Sequence, residues 1–464
     1  MAVRWPRFVP LLACLYLPFI GGGLLTDDFA HIEHLTHIDS PARLLDRPDT
    51  FGFYRPVAQA TLAAEIDTHG RPAGMRAFNL LLHAAVIALA FLVARLVLES
   101  SFAAGLAALA FALTPKAPPI AVLWVSARGE LLMALFTLAA VAAWIVWTRG
   151  GRPVWLAAAG LAFALALTSK EAAAVLPVLL VLTPRPERSL TSRAVALTGL
   201  LVVAAAIFMW RAHTGALTPF SGDAHYDLMA PLSVWVRNGM NYSGRIPVAP
   251  LALVAVVAIA VSIRRRAEAL ASAEPRTLKQ AGLKTRLYVA SVAVFSLAWV
   301  VMFLVPVLPI ALRSELYLYL PVFGLCVLAG EVAERLVQRV NDPRIVMAAI
   351  GMLTLVFAGY QIARARERHH DLVFSEKLVE ALRSTPQLAG GDGRVLLLPS
   401  DTETERRLQD TIGGYFYLVL EYAHHNPRLT GDVQYRGDAP RQASLRLTCV
   451  YREDQGTVTL SSAP

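Results

Sequence analysis

The feature that most constrains this chain is a series of apolar runs separated by short basic loops. The runs fall near 8–25, 78–98, 102–114, 129–147, 154–168, 172–183, 194–211, 246–263, 287–306, 316–334 and 345–363. A bilayer crossing takes about 20 apolar residues, so the third, fifth and sixth runs are short. Pro115, Pro118, Pro119 and Pro177 lie at or within the short runs. They predict broken or re-entrant backbone, which survives at membrane depth only where protein buries it or it lines a wet cavity. With 56% hydrophobic and only 17% charged residues, against about a quarter charged in soluble chains, one water-soluble core could not hide the apolar surface. The expected fold is an all-α polytopic membrane protein with about eleven transmembrane helices.

Arg4 and Arg7 precede the first run, which resembles a signal peptide until its end. There the chain reads GGGLLTDDF, with no small-x-small cleavage site, and a retained signal anchor is expected. With the N-terminus inside, the inner loops carry Arg149 and Arg152; Arg185, Arg188 and Arg193; Arg335, Arg339 and Arg344. The richest holds Arg264, Arg265, Arg266, Arg276, Lys279, Lys284 and Arg286. This bias follows the positive-inside rule and accounts for the net charge of +9 without nucleic acid as a partner. The loops 26–77 and 212–245 and the tail after about 364 then face outward, although Arg364, Arg366 and Arg368 run against the rule. The expected location is a bacterial inner membrane, with a cytoplasmic N-terminus and a periplasmic C-terminal domain. Cys14, Cys326 and Cys449 form no CxxC or Cys/His cluster, so neither a disulfide framework nor a structural zinc site is expected.

The tail changes character. After a helix containing LVFSEKLVEALRS and a GGDG turn come a short strand at 394–398, an amphipathic helix through 407–422, and strands around 433–435, 444–451 and 457–460. Residues 367–464 read as a small α/β domain appended to a membrane domain spanning 1–366. No internal repeat of usable period is present.

Chemistry-bearing residues concentrate at the outward ends of the runs. Asp27 and Asp28 follow the first run directly. Such a pair can hold a divalent cation, act as a general base or cap a helix. His31, His34 and His37 follow at steps of three. They could join Asp27 and Asp28 around a metal or simply make a polar interfacial face. Arg55, in FGFYRPV, suits a phosphate or an interfacial anchor. Lys116, Arg128 and Glu130 gather in the second outward segment, Lys170 and Glu171 in TSKEAA, and Arg313, Glu315, Tyr317 and Tyr319 in ALRSELYLYLP. Ionisable groups bordering apolar helices are functional candidates by default. Together they predict an outward polar pocket for an anionic lipid head group. No Walker motif, Gly-rich dinucleotide loop or GxSxG points to soluble nucleotide or hydrolase chemistry.

The ordered set DDF, YRPV, NLLLH, FALTP…WVSARGELLMALF, TSKEAA and ELYLYLPVFG resembles the multi-pass GT-C glycosyltransferases over about 360 residues. It is most similar to the transmembrane-and-tetratricopeptide-repeat O-mannosyltransferases and their bacterial relatives. The resemblance implies transfer of a sugar from a polyprenyl-phosphate donor to a glycan, lipid or protein acceptor, with inversion. It implies a catalytic base at Asp28 or Asp27, with Asp28 preferred, and a further acid at Glu130. Phosphate-binding cations would come from Arg55, Arg128, Lys170 and Arg313, with Glu171 and Tyr319 beside them. A divalent metal at Asp27, Asp28 and His31 stays open. Two departures stand out. Where relatives carry His-Pro and a nearby Glu, this chain has 114–119, TPKAPP, and the tail lacks the 34-residue helical period. A transporter or flippase of a lipid-linked or anionic substrate is the alternative, and a non-catalytic assembly subunit a third. Transporters place ionisable groups near the midplane of symmetry-related repeats, whereas here they gather at one face.

Overall fold

The computed structural model describes residues 9–67, 71–216, 230–245, 251–254, 257–258, 261, 283–311, 313–339, 344–388, 393–426, 428–435, 438 and 442–462. Arg4, Arg7, most of the eighth run and the basic stretch from Arg264 to Lys279 lie outside them.

The chain is a mostly helical, multi-pass membrane protein, with one small sheet among the described residues. Among the described residues five helices are long and apolar enough to cross a bilayer: Pro72–Leu98, Val125–Thr148, Leu190–His213, Tyr288–Val307 and Arg344–Arg383. A bent pair, Ser101–Ala112 and Ala117–Leu123, makes a sixth if counted as one span. Eleven full crossings are therefore not seen among these residues. Several apolar runs are too short to span: Pro153–Ser169 and Glu171–Val181 are examples. The first run, which carries Pro10 and Pro18, winds as a 3₁₀ helix over Val9–Phe19.

In chain order the helices that frame the site are α1 (Asp28–Thr36), α2 (Pro56–Asp67), α3 (Pro72–Leu98), α4 (Ser101–Ala112), α5 (Ala117–Leu123), α6 (Arg128–Thr148) and α7 (Pro153–Ser169). They are followed by α8 (Leu190–His213), α9 (Leu232–Ser243), α10 (Leu283–Leu304), α11 (Val322–Val337) and α12 (Arg344–Arg383). Proline at the first turn of α3 suits a position with no intrahelical donor to lose. The Ser100 hydroxyl accepts from Ala103 N–H and caps α4. Small residues let α4 and α11 pack backbone to backbone: a Cβ on Gly330 would stand 2.4 Å from the Ala103 carbonyl oxygen.

The break predicted at Pro115–Pro119 is present. Between α4 and α5 the chain bends by 67°, with Lys116 at φ +76°. The carbonyls freed there find a donor from a distant helix. The side-chain amide of Gln361, on α12, donates to Ala112 O at 2.9 Å and Thr114 O at 3.0 Å, while Tyr16 donates to its oxygen at 2.8 Å. This is how irregular backbone is tolerated at membrane depth.

Helix α12 is continuous for 40 residues, so the expected domain boundary at 366 lies inside it. Its far end enters the C-terminal domain, whose strands β1 (Gly393–Pro399), β2 (Leu429–Val433), β3 (Leu445–Arg452) and β4 (Thr457–Ser462) form a sheet in the order β2-β1-β3-β4. β1 is parallel to both neighbours and β4 is antiparallel to β3. The helix predicted through 407–422 is two, α13 (Thr402–Thr411) and α14 (Phe416–His424), separated at Gly413, which has φ +51°. A second apolar core joins this domain to the 26–77 loop: Phe29, Ile32 and Leu35 of α1 share it with Phe374, Leu378, Leu408, Phe416 and Leu420.

Candidate functional site

The loop that carries the two aspartates is held from both ends of the chain. Gly23 N–H donates to Leu372 O and Thr26 N–H to Thr411 O, each at 2.7 Å. Arg76, buried on α3, gathers the carbonyls of Ile20, Gly21, Gly22 and Gly23 and reaches Leu123 O at 3.0 Å. The turn at 26 thus delivers Asp27 and Asp28 to the N-terminus of α1 in a fixed pose.

The two carboxylates differ. Asp28 is fully buried, and its Oδ1 accepts from Ser126 N–H at 2.7 Å and Ser126 Oγ–H at 2.5 Å. Its Oδ2 accepts from Leu25 N–H at 3.1 Å. It ties α1 to the junction between α5 and α6. Asp27 is partly exposed and accepts from the Thr26 hydroxyl at 3.1 Å. Burial of its carboxyl and the adjacent Asp28 raise its pKa from 3.8 to about 7, against the opposing pull of Thr26 and Trp124. Among the described residues no cation pairs with it. An acid of this kind loses its proton near neutral pH, as a general base requires.

The rim residues meet across long sequence separations. Lys170 Nζ reaches Glu130 Oε2 at 2.6 Å, both buried, with the ammonium 4.9 Å from the Tyr317 ring. Arg55 makes two hydrogen bonds to Glu171, at 3.1 and 2.7 Å, and its guanidinium lies over Phe53. Arg211 approaches the same carboxylate at 4.0 Å. Lys116 and Arg245 share Glu315 Oε1 at 2.6 and 3.1 Å. Two cations on one carboxylate leave a net positive charge at the mouth of a groove of about 290 Å³, whose walls include Pro115, Leu318, Val356, Phe357 and Tyr360.

The other sequence candidates are not part of these ion pairs. Arg128 is buried and committed: it pairs with Glu65 at 2.8 Å and donates to Asn79, Thr61 O and Met75 O. Tyr319 is buried, its hydroxyl 2.6 Å from His83 Nδ1. Arg313 is exposed and away from the Glu130 and Glu171 pairs, beside α9. The His31 ring packs edge-on against Phe51, and burial lowers its pKa. The open metal expectation at Asp27, Asp28 and His31 finds no support: no group of three or more His, Cys, Asp or Glu that could hold an ion occurs among the described residues.

Several participants were missed from sequence. Asn79, on α3, accepts from Arg128 and donates to Trp124 O at 3.1 Å, so α3 organises the α5–α6 junction through Arg76 and Asn79. The signal was present: both are polar residues at the start of an apolar span. Arg211 and Gln361 carried the same signal near the ends of their spans.

Residues 59–210, a third of the chain, match the family model described as dolichyl-phosphate-mannose-protein mannosyltransferase. No curated protein sequence matches the chain. The fold is similar to that of ArnT from Cupriavidus metallidurans bound to undecaprenyl phosphate: 14% identity, covering 93% of this chain and 86% of that one, with a TM-score of 0.52. Weaker likenesses extend to two other proteins. The arabinofuranosyltransferase AftD from Mycobacteria gives 17% identity, 84% of this chain and TM-score 0.45. The archaeal oligosaccharyltransferase AglB from Archaeoglobus fulgidus gives 11% identity, 92% of this chain, 64% of that one and TM-score 0.47. The chain spans 29% of the length of AftD. The resemblance to GT-C membrane glycosyltransferases drawn from the sequence is borne out.

Proposed function

We propose that this protein transfers a sugar from a polyprenyl-phosphate-linked donor to a hydroxyl of a glycan, lipid or protein acceptor. The reaction takes place on the outer, periplasmic side of a bacterial inner membrane. The observation that carries this reading is the division of labour in the aspartate pair: Asp28 is hydrogen-bonded on both oxygens, while Asp27 is open, uncompensated by any cation among the described residues and poised to lose its proton near pH 7. Our choice of base is therefore Asp27 rather than the preferred Asp28 of the sequence reading.

In this scheme Asp27 removes the proton of the acceptor hydroxyl as its oxygen attacks the anomeric carbon. The bond from that carbon to the donor phosphate breaks, and the electron pair leaves on the lipid phosphate. Attack opposite the leaving group inverts the anomeric centre. Lys116 and Arg245 stabilise the departing phosphate, and the groove walls of Leu318, Val356 and Phe357 take the isoprenoid. ArnT, whose fold this chain shares, binds undecaprenyl phosphate, which supports a polyprenyl carrier here. Arg55, Lys170, Glu130 and Glu171 form compensated pairs that hold the rim open and direct its charge, while Asp28 and Arg128 position the loops.

The test is in vitro transfer by the full chain in nanodiscs, using polyprenyl-phosphate sugars and the acceptor fraction from a deletion strain. Inverted product should form with wild type and fall to background with Asp27→Asn. Equal product from both would sink the assignment of the base, and absence of transfer with every donor would sink the enzyme reading.

A further inference from the structure

Helix α9 (Leu232–Ser243) has two faces with different fates. One is pinned to the protein: the Asn238 amide donates to Leu308 O and Ile310 O, both at 2.8 Å, just past the end of the span Tyr288–Val307, and Tyr242 is fully buried. The other face carries Leu232, Val236 and Met240, four residues apart and 74%, 54% and 72% exposed. That spacing puts all three on one stripe of a helix. A helix held to the carbonyls at the end of a transmembrane span lies at the bilayer boundary, where such a stripe belongs among acyl chains.

Two arginines complete the arrangement. Arg237 and Arg313 line one open groove of about 750 Å³ together with Leu232, Val236, Met240 and Asn241. No acidic residue lines it, and among the described residues no carboxylate pairs with either guanidinium. The groove therefore joins an apolar stripe to two uncompensated cations, which matches an amphiphile with acyl chains and a phosphate head. We propose that α9 is an interfacial helix whose groove binds an anionic phospholipid of the surrounding bilayer, its phosphate held between Arg237 and Arg313. This assignment is independent of the proposed transfer reaction, and it gives Arg313 a role away from the donor groove.

Lipid quenching tests it. A bimane fluorophore is attached at Ser233→Cys, on the exposed side of α9, in a Cys14→Ser background in which the remaining Cys326 and Cys449 are buried. The full chain is reconstituted in mixed phosphatidylcholine and phosphatidylglycerol vesicles, in which one lipid or the other is brominated. Brominated phosphatidylglycerol should quench more strongly than brominated phosphatidylcholine. The preference should drop about fivefold for each arginine changed to glutamine, the effect of about one basic residue at an anionic surface. The Arg237→Lys/Arg313→Lys variant, read alongside, should keep most of the preference. Absence of quenching by either lipid would show that the stripe does not face the bilayer. Equal quenching by both would show no selection of an anionic head. Loss of the preference on adding a trace of undecaprenyl phosphate would reserve the groove for a lipid-phosphate carrier. Each of these three results overturns the proposal.

Discussion

Ser126 gives both its backbone N–H and its hydroxyl to a single oxygen of Asp28, 98 residues away. That contact fastens the start of α1 to the α5–α6 junction and makes Asp28 a structural acceptor. Replacing one carboxylate oxygen by an amide group leaves a buried donor facing donors. Asp28→Asn is expected to lower stability by about 1–3 kcal/mol, read as a lower unfolding temperature in detergent.

Asp27→Asn should behave in the opposite way. It gives up the hydrogen bond from the Thr26 hydroxyl but also sheds a carboxyl whose ionisation the fold opposes, so stability should not fall and should rise at neutral pH. If Asp27 is the base, turnover should drop by about 100- to 10,000-fold. Steady-state transfer and thermal unfolding measured on the same preparation separate the two aspartates.

The pH dependence follows from the Asp27 carboxyl, whose pKa is raised to about 7. The base works only when ionised, so kcat/KM should fall about tenfold per pH unit below that value and level off above it. Linkage gives the stability sign. A carboxyl that holds its proton more tightly when folded favours the folded state in acid. Its contribution is present below the ordinary carboxylate range and is lost as pH rises to about 7. Asp27→Asn should remove both the acid limb of the rate and this stability slope.

Gln361→Leu should destabilise the membrane domain by about 2 kcal/mol or more, because two carbonyls freed at the α4–α5 break lose their donor in an apolar setting. Unfolding of the purified protein in detergent would register the loss. Gln361→Glu should be no milder, since a carboxylate cannot donate to those carbonyls.

Arg407 and Asp371 form a buried pair at 2.8 Å between the C-terminal domain and α12. Removing that cation, as in Arg407→Met, leaves the buried Asp371 carboxylate with Arg368 alone, at 3.6 Å, and should cost about 1–3 kcal/mol. Faster limited proteolysis within 393–462 would report the loosened domain.

Much of the architecture was legible because its causes are local. Apolar length set the spans at 78–98, 129–147 and 194–211. Pro115, Pro118 and Pro119 announced a broken helix because proline removes donors wherever it stands. The errors came where local pattern is blind. Hydropathy does not distinguish an α-helical span from the proline-bracketed 3₁₀ winding of 9–19, and the apolar pattern of 407–422 runs on through Gly413 although the helix does not. At the site, sequence revealed the residue types at each loop end but not their pairing. Lys170 meets Glu130 across 40 positions, Arg55 meets Glu171 across 116, and Lys116 meets Glu315 across 199. Arg128 and Arg313 looked alike as rim cations, yet one is fully committed inside the protein and the other is open.

Helix α12 passes without interruption from the lipid into the sheet domain, and that domain in turn grips the residue next to Asp27 through the Thr26–Thr411 hydrogen bond. The turn at 23–26 and the C-terminal domain are thus one mechanical part, coupled through backbone hydrogen bonds to Leu372 and Thr411. Cutting the chain at 366 would sever that coupling rather than trim an accessory, leaving the turn before Asp27 to Arg76 and Ser126 alone.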